Sequence, residues 1–176
     1  ATTGDRRYSA DIALYLINWD NMQVASQSNG IGVVANASTA RSTGAEFTLT
    51  ALPIPELTLL GTFAYIHARL TDDAPDLGGV DGDPLPDTPD FAFTVSGDYS
   101  FGVLGHTGTA GAMLRYVGDR VSGFDASAGS PQYRLPEYTT MDLRGSVAIG
   151  PANLRLYVRN LFNERGQLSA ETVLTQ

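Results

Sequence analysis

The sequence predicts an all-β protein, an antiparallel up-and-down transmembrane β-barrel wall, on three observations. About seven segments alternate apolar and polar residues with a period of two, the pattern of strands with one buried face. The links between them alternate in turn between a few residues and long polar stretches. The segments also mostly reach the roughly nine to eleven tilted residues that cross an apolar band about 25 Å tall, whereas strands of soluble proteins average nearer five or six.

In chain order the segments run from about Arg6 to Asp20, Val33 to Ala51, Glu56 to Leu70, Pro89 to Phe101, His106 to Gly118, Tyr138 to Ile149 and Asn153 to Phe162. No helical periodicity is sustained in any of them. LPIPE, FGVLG and IGPAN make the short links; NMQVASQSNGIG, TDDAPDLGGVDGDPLPDT and DRVSGFDASAGSPQYRLPE make the long polar ones. All short turns therefore fall at one end and all long loops at the other, as in barrels with short periplasmic turns and longer extracellular loops.

The faces separate cleanly. In the fourth segment Phe91, Phe93, Val95, Tyr99 and Phe101 oppose Ala92, Thr94, Ser96, Asp98 and Ser100; in the sixth Met141, Leu143, Val147 and Ile149 oppose Asp142, Arg144 and Ser146. A soluble β-sandwich used for binding or adhesion would alternate in the same way, and a passive porin-like barrel would share the membrane wall, so both stand as alternatives. Tyr99 and Phe101 lie at the short-turn end and Tyr65 and Tyr116 toward the long-loop end, the placement of interfacial girdles.

Composition sets further bounds. The chain has 176 residues, a net charge of -8 and only 17% charged residues. The acidic balance argues against a nucleic-acid partner, which needs a basic stripe. With no Cys, disulfide frameworks, thiol catalysis and Cys-based zinc sites are excluded. No Ser stands in a nucleophile-elbow context, and Glu137 and Asp142 alternate to opposite faces of one strand, so no catalytic residue is expected. His67 and His106 fall at opposite ends of the wall, too far apart to share a metal. Asp72, Asp73, Asp76, Asp81 and Asp83 lack calcium-loop spacing and read as an acidic solvated loop. No metal site and no cofactor are expected.

The stretch LRLYVRNLFNERG poses a physical problem. If Leu154, Leu156 and Val158 face lipid, alternation sends Asn160 there too, where an unpaired amide costs several kcal/mol. The strand must leave the hydrocarbon, bulge or turn Asn160 inward near that point.

These residues carry a resemblance. YVRNLFNERG resembles the asparagine-leucine-phenylalanine signature near the C-terminus of TonB-dependent outer-membrane receptors, and ALYLINWDNMQ, NASTARSTGAEFTL, FAYIHARLTD, GDPLPDTPDFAFTVSGDYSF, RYVGDR and LPEYTTMDLRGS follow that family's order over nearly the whole chain. The resemblance implies a barrel of about 22 strands with a plugged lumen, of which residues 1–176 would supply about seven as a C-proximal portion, without the plug, the energy-coupling motif or the terminal aromatic strand. Ala1 opens in mid-pattern, as in a mature, trimmed or partial chain.

It further implies a bacterial outer-membrane location and TonB-dependent uptake of a scarce ligand, a ferric siderophore first, with haem, cobalamin or saccharides as other cargoes. The implied partners are the rest of the barrel and its plug, the TonB complex, outer-membrane lipid and lipopolysaccharide, and a small siderophore-like molecule. On such a wall Asp11, Tyr15, Ser42, Glu46, Thr48, Asp98, Arg115, Asp142, Arg144, Arg155 and Arg159 face the lumen. Glu46, Arg115, Asp142, Arg144, Arg155 and Arg159 are the candidate ligand or lumen residues. Arg115, Asp142 and Arg144, on adjacent strands, are expected to form a salt-bridge ladder.

Overall fold

Alternation with a period of two is realised as one seven-stranded antiparallel sheet. The computed structural model describes residues 7–28, 31–124 and 132–170, with the side chains of 24–38 outside that description. The strands are β1 (Tyr8–Ser28), β2 (Ile31–Ile54), β3 (Leu57–Leu70), β4 (Phe91–Val103), β5 (His106–Val117), β8 (Tyr138–Ile149) and β9 (Ala152–Val158). Two short strands, β6 (Arg120–Val121) and β7 (Arg134–Leu135), pair only with each other. The large sheet keeps chain order, β1-β2-β3-β4-β5-β8-β9, as an up-and-down meander must.

The sheet does not close, because β1 and β9 each have a neighbour on one side only. Open edges are not tolerated in lipid, so this is a sector of a larger barrel. The soluble-sandwich alternative fails on the same description: a two-residue ladder between β6 and β7 cannot cover a seven-stranded face.

Cross-strand register sorts the side chains into rows. Ile12, Phe47, Phe63, Phe93 and Tyr116 form one continuous row, and Asp11, Thr48, Thr62, Thr94, Arg115 and Thr140 form the next, on the opposite face. In the apolar row Phe47, Phe63, Phe93 and Tyr116 stand with successive ring centroids 6.0, 5.9 and 5.3 Å apart. Spacings of this kind favour offset aromatic pairs. At the short-turn end Tyr99 stacks on Phe101 at 6.3 Å. Leu14 and Leu156 are 79% and 69% exposed, an apolar face without a protein cover. Among the described residues no helix is long and apolar enough to cross a membrane, which leaves crossing by strands untouched.

The short turns follow local chemistry. Val103 pairs with His106, leaving Leu104 and Gly105 at φ 50° and 78°. Two left-handed residues in a two-residue loop match the twist of the flanking strands. The link between β2 and β3 contains a register irregularity between Ala51 and Ile54.

The long links depart from expectation in three places. NMQVASQSNGIG is not a polar loop: β1 continues to Ser28 and β2 begins at Ile31, with Met22 opposite Ala37 and Ser28 opposite Ile31. A ladder of backbone hydrogen bonds can continue without amphipathic alternation to betray it. The acidic link after β3 is ordered rather than simply solvated. It carries a 3-10 turn at Pro75–Leu77, and Leu77 and Leu85 are buried with Ala40, Ala68, Leu70, Ala74 and Phe124, against which Met22 and Ile66 pack. Burial of each leucine contributes about 1.5–3 kcal/mol. The third link contains β6 and β7, which its composition did not announce, and residues 125–131 of it lie outside the described residues. The last strand ends at Val158 rather than Phe162, and Arg6, the expected start of the first, is also outside the described residues.

Candidate functional site

The polar face of the sheet carries the candidate site, because its rows bring chemistry from distant parts of the chain into register. Arg144 on β8 stands opposite Gly111 on β5, and Gly111 stands opposite Asp98 on β4. The Arg144 side chain crosses above the glycine: Nε donates to Asp98 Oδ1 at 2.7 Å and Nη2 to Oδ2 at 2.5 Å. The bidentate fork gives geometric specificity as well as attraction. Both side chains are 44% exposed, so solvent screens the pair.

The expected ladder of Arg115, Asp142 and Arg144 does not form. Arg144 bypasses Asp142 for Asp98, because Asp142 is on its own strand and its Oδ1 accepts the backbone N–H of Asn160 at 2.8 Å. Arg115 stands between Thr94 and Thr140 and is exposed, with no ion pair among the described residues. Glu46 stands between Ala13 and Ala64 on the same face, four strands from Arg144. Beside it in sequence, Gly44 lies under the Tyr15 ring, where a Cβ would collide with the phenol and with the Tyr65 carbonyl.

The structure brings together Asp142, Arg144, Arg155 and Arg159. They line a concavity of about 550 Å³ with Asp98, Thr109, Met113, Ser146 and Tyr157. Arg155 stands opposite Ser146, whose hydroxyl shares a 2.7 Å hydrogen bond with Thr109. Arg159 lies over the Tyr157 ring at 5.3 Å, near enough for a cation–π contact. The floor is therefore a neutralised Asp98–Arg144 pair, and the β9 wall adds two guanidinium groups without a carboxylate partner among the described residues. Such a surface can hold an anion or an acidic segment. Asp98, Gly111 and Tyr157 were not singled out as a unit by sequence, since only the register across two strand spacings reveals it.

The asparagine problem is solved locally. Asn160 turns left-handed at φ 50°, donates its amide to the Glu164 carbonyl at 2.8 Å, and accepts the Glu164 N–H on Oδ1 at 2.9 Å. Leu161 N–H returns to the Met141 carbonyl at 2.7 Å and Asn163 N–H to the Asn160 carbonyl at 2.9 Å. The strand therefore leaves the sheet with its amide satisfied, and Asn is among the residues that tolerate this conformation. The segment beyond is strapped to the outer lobe: buried Arg120 donates through Nη2 to the Gln167 carbonyl at 2.7 Å, and Tyr133 donates to Gln167 Oε1 at 3.0 Å.

Three carboxylates of the acidic link turn to its own backbone. Asp72, Asp73 and Asp83 accept from the N–H groups of Asp73, Asp81 and Val80 at 2.9, 3.0 and 2.9 Å. Among the described residues no group of three or more His, Asp or Glu is placed to hold a metal ion. Glu137 receives the Tyr116 hydroxyl at 2.5 Å, well away from Asp142.

With this geometry in hand, comparison with known proteins is direct. The family described as TonB dependent receptor-like, beta-barrel, matches residues 2–161. The metal-pseudopaline receptor CntO of Pseudomonas aeruginosa is 33% identical over 164 residues, 92% of this chain and 22% of its own length. The ferric yersiniabactin uptake receptor FyuA of Yersinia pestis superposes with a TM-score of 0.79 at 19% identity, over 96% of this chain and 24% of that one. The ferric-catecholate import receptor Fiu of E. coli K12 gives 0.73 at 22% identity, over 97% and 23%. The chain thus spans about a quarter or less of the length of these relatives.

Proposed function

The chain belongs to the TonB-dependent receptor β-barrel family, whose members lie in the bacterial outer membrane, and from that premise we propose that it is the C-proximal wall of a plugged active transporter. In this reading residues 1–176 contribute seven strands to a barrel of about 22. The full protein captures a metal–chelator complex of the siderophore class, a ferric siderophore first, and admits it when the TonB complex acts on the plug. The family is one of transport receptors rather than enzymes.

The observation that carries the reading is the unclosed sheet with one polar and one apolar face, joined to the relationship with a receptor named for a metal–chelator ligand. Glu46, Arg115, Asp142, Arg144, Arg155 and Arg159 then line the lumen. Arg155 and Arg159 meet acidic groups of the plug or of the passing anionic complex, and the Asp98–Arg144 pair stiffens the floor between them.

The test is uptake of radiolabelled iron, presented free or chelated, by cells carrying the full-length receptor. Chelator-dependent accumulation that a protonophore abolishes is the expected result. Accumulation indifferent to the protonophore would mean passive permeation and would overturn the proposal.

A further inference from the structure

One buried charge is not accounted for by the floor of the polar face. Arg120, on the β6–β7 ribbon, is 7% exposed, and Leu135 opposite it is fully buried. Its Nη2 serves two carbonyls, Gln167 at 2.7 Å and Leu168 at 3.3 Å, and its guanidinium lies over the Tyr138 ring at 6.0 Å. Its Nη1 is enclosed and has no hydrogen-bond partner among the described residues. No carboxylate pairs with it among them either: Asp119 is held by Arg134, and Glu137 by the Tyr116 hydroxyl. A guanidinium buried without a counter-charge, and with one arm unbonded, is held at a cost in stability. Orphan groups of this kind are rare in folded proteins and mark a strained or ligand-binding position.

What Arg120 does hold is a strap rather than a strand. Beyond Val158 the chain crosses the polar face of β8: the Asn160 N–H bonds Asp142, Gly166 lies against the Tyr138 ring, and Asp142 and Tyr138 alternate onto that face. The strap end is exposed at Gln167 and Leu168 and is further tied only by the 3.0 Å bond from the Tyr133 hydroxyl to Gln167. Backbone carbonyls are the weaker acceptors for a guanidinium. A carboxylate makes charge-assisted bonds about twice as strong and takes both arms of the fork at once. It would satisfy Nη1 and displace both carbonyls from Nη2 in one step.

We propose that Arg120 is a carboxylate site closed by the strap, so that a small carboxylate-bearing molecule entering the mouth competes with Gln167 and Leu168 for one guanidinium. Binding lifts the strap and opens the polar face of β8 toward Arg159. The slot beside the Tyr138 ring is flat, which favours a planar carboxylate over a tetrahedral oxyanion. The inference rests on the lumen placement given to the polar face in the proposed function, but not on the identity of the cargo or on TonB.

The experiment pairs equilibrium dialysis of radiolabelled malonate with hydrogen exchange at the Glu164 to Leu168 amides. It uses the full-length receptor in mild detergent, as wild type, R120Q and G166A, with heat-modifiable migration reporting folding. Malonamide is the neutral isostere and sulfate the tetrahedral anion. Wild type should bind malonate, and saturation should speed strap exchange at least tenfold while the Leu143 to Val147 amides of β8 stay unchanged. R120Q should bind malonate at least tenfold more weakly, with a strap that exchanges fast whether malonate is present or not. A Cβ added at Gly166 would meet the Tyr138 ring at 2.8 Å. G166A therefore lifts the strap and should bind malonate several-fold more tightly, because the competing closed state is depopulated; a purely structural Arg120 would give no such gain.

No malonate binding by wild type, equal binding by R120Q, or equal binding of malonamide or sulfate would each overturn the proposal. So would strap exchange that ignores bound malonate, or no tightening in G166A, since either breaks the competition. A strap already fast in wild type without malonate would show the guanidinium taken by a carboxylate of the receptor itself, and would overturn it as well. If R120Q fails to fold, the malonate affinity of G166A decides alone. Protonophore-sensitive iron uptake is measured without malonate, so failure of the Arg120 site and failure of the transport reading are separately visible.

Discussion

Replacing Gly111 with alanine should destabilise the barrel chiefly because Arg144 crosses that glycine to reach Asp98. Two strand spacings put the Asp98 and Arg144 backbones roughly 10 Å apart, and the Arg144 side chain lies low over β5 to span them. An added Cβ would meet the Asp98 carboxylate, sit 2.9 Å from Arg144 Nε and 3.0 Å from the Gly97 carbonyl. In a strand without the crossing, the same change should stabilise by about 0.5–1 kcal/mol, since glycine loses the most chain entropy on folding. Displacing the fork removes two charge-assisted bonds, which in this half-exposed site are together worth about 1–2 kcal/mol after screening. The expected net change is a loss of about 1 kcal/mol. A double-mutant cycle separates the contributions: in a D98A background G111A should become neutral or stabilising, giving a coupling of at least about 1 kcal/mol. The assay is denaturant unfolding of the full-length receptor in detergent, read by tryptophan fluorescence. A G111A protein as stable as wild type, or an unchanged effect in the D98A background, would refute the steric argument.

Two further substitutions test the faces and the exit of the last strand. Leu143, on the apolar face between Ala112 and Val158, should lose about 2–4 kcal/mol of folding free energy in bilayers as arginine near the midplane, whereas Arg144→Lys should lose only about 1 kcal/mol, one arm of the fork; equal losses in a lipid-vesicle folding titration would reverse the face assignment. Asn160→Ala removes both bonds to Glu164 and places alanine at a left-handed position, an expected loss of about 2–3 kcal/mol, with Asn160→Gly intermediate; hydrogen exchange at Leu161 and Asn163 no faster than in wild type would show that the side chain does not hold the turn.

The contrast between what was legible and what was not has a physical origin. A row such as Ile12, Phe47, Phe63, Phe93 and Tyr116 could be anticipated because lipid imposes the same demand at every second residue of every strand. The polar row beside it could be anticipated only as polar. Choosing Asp98 over Asp142 for Arg144 depends on register accumulated over two strand pairs and on a glycine between them, and a single-residue slip would have changed the partner.

Beyond the membrane the demand disappears, and so does the signal. The extension from Met22 to Ser28 is paired by its backbone alone as far as periodicity could show, and the acidic link conceals Leu77 and Leu85 among carboxylates that cap its own backbone. Sequence periodicity in such a wall therefore records solvent, not structure. Where the two solvents meet, at Arg41 and Arg69, the outward face changes from apolar to charged within four residues.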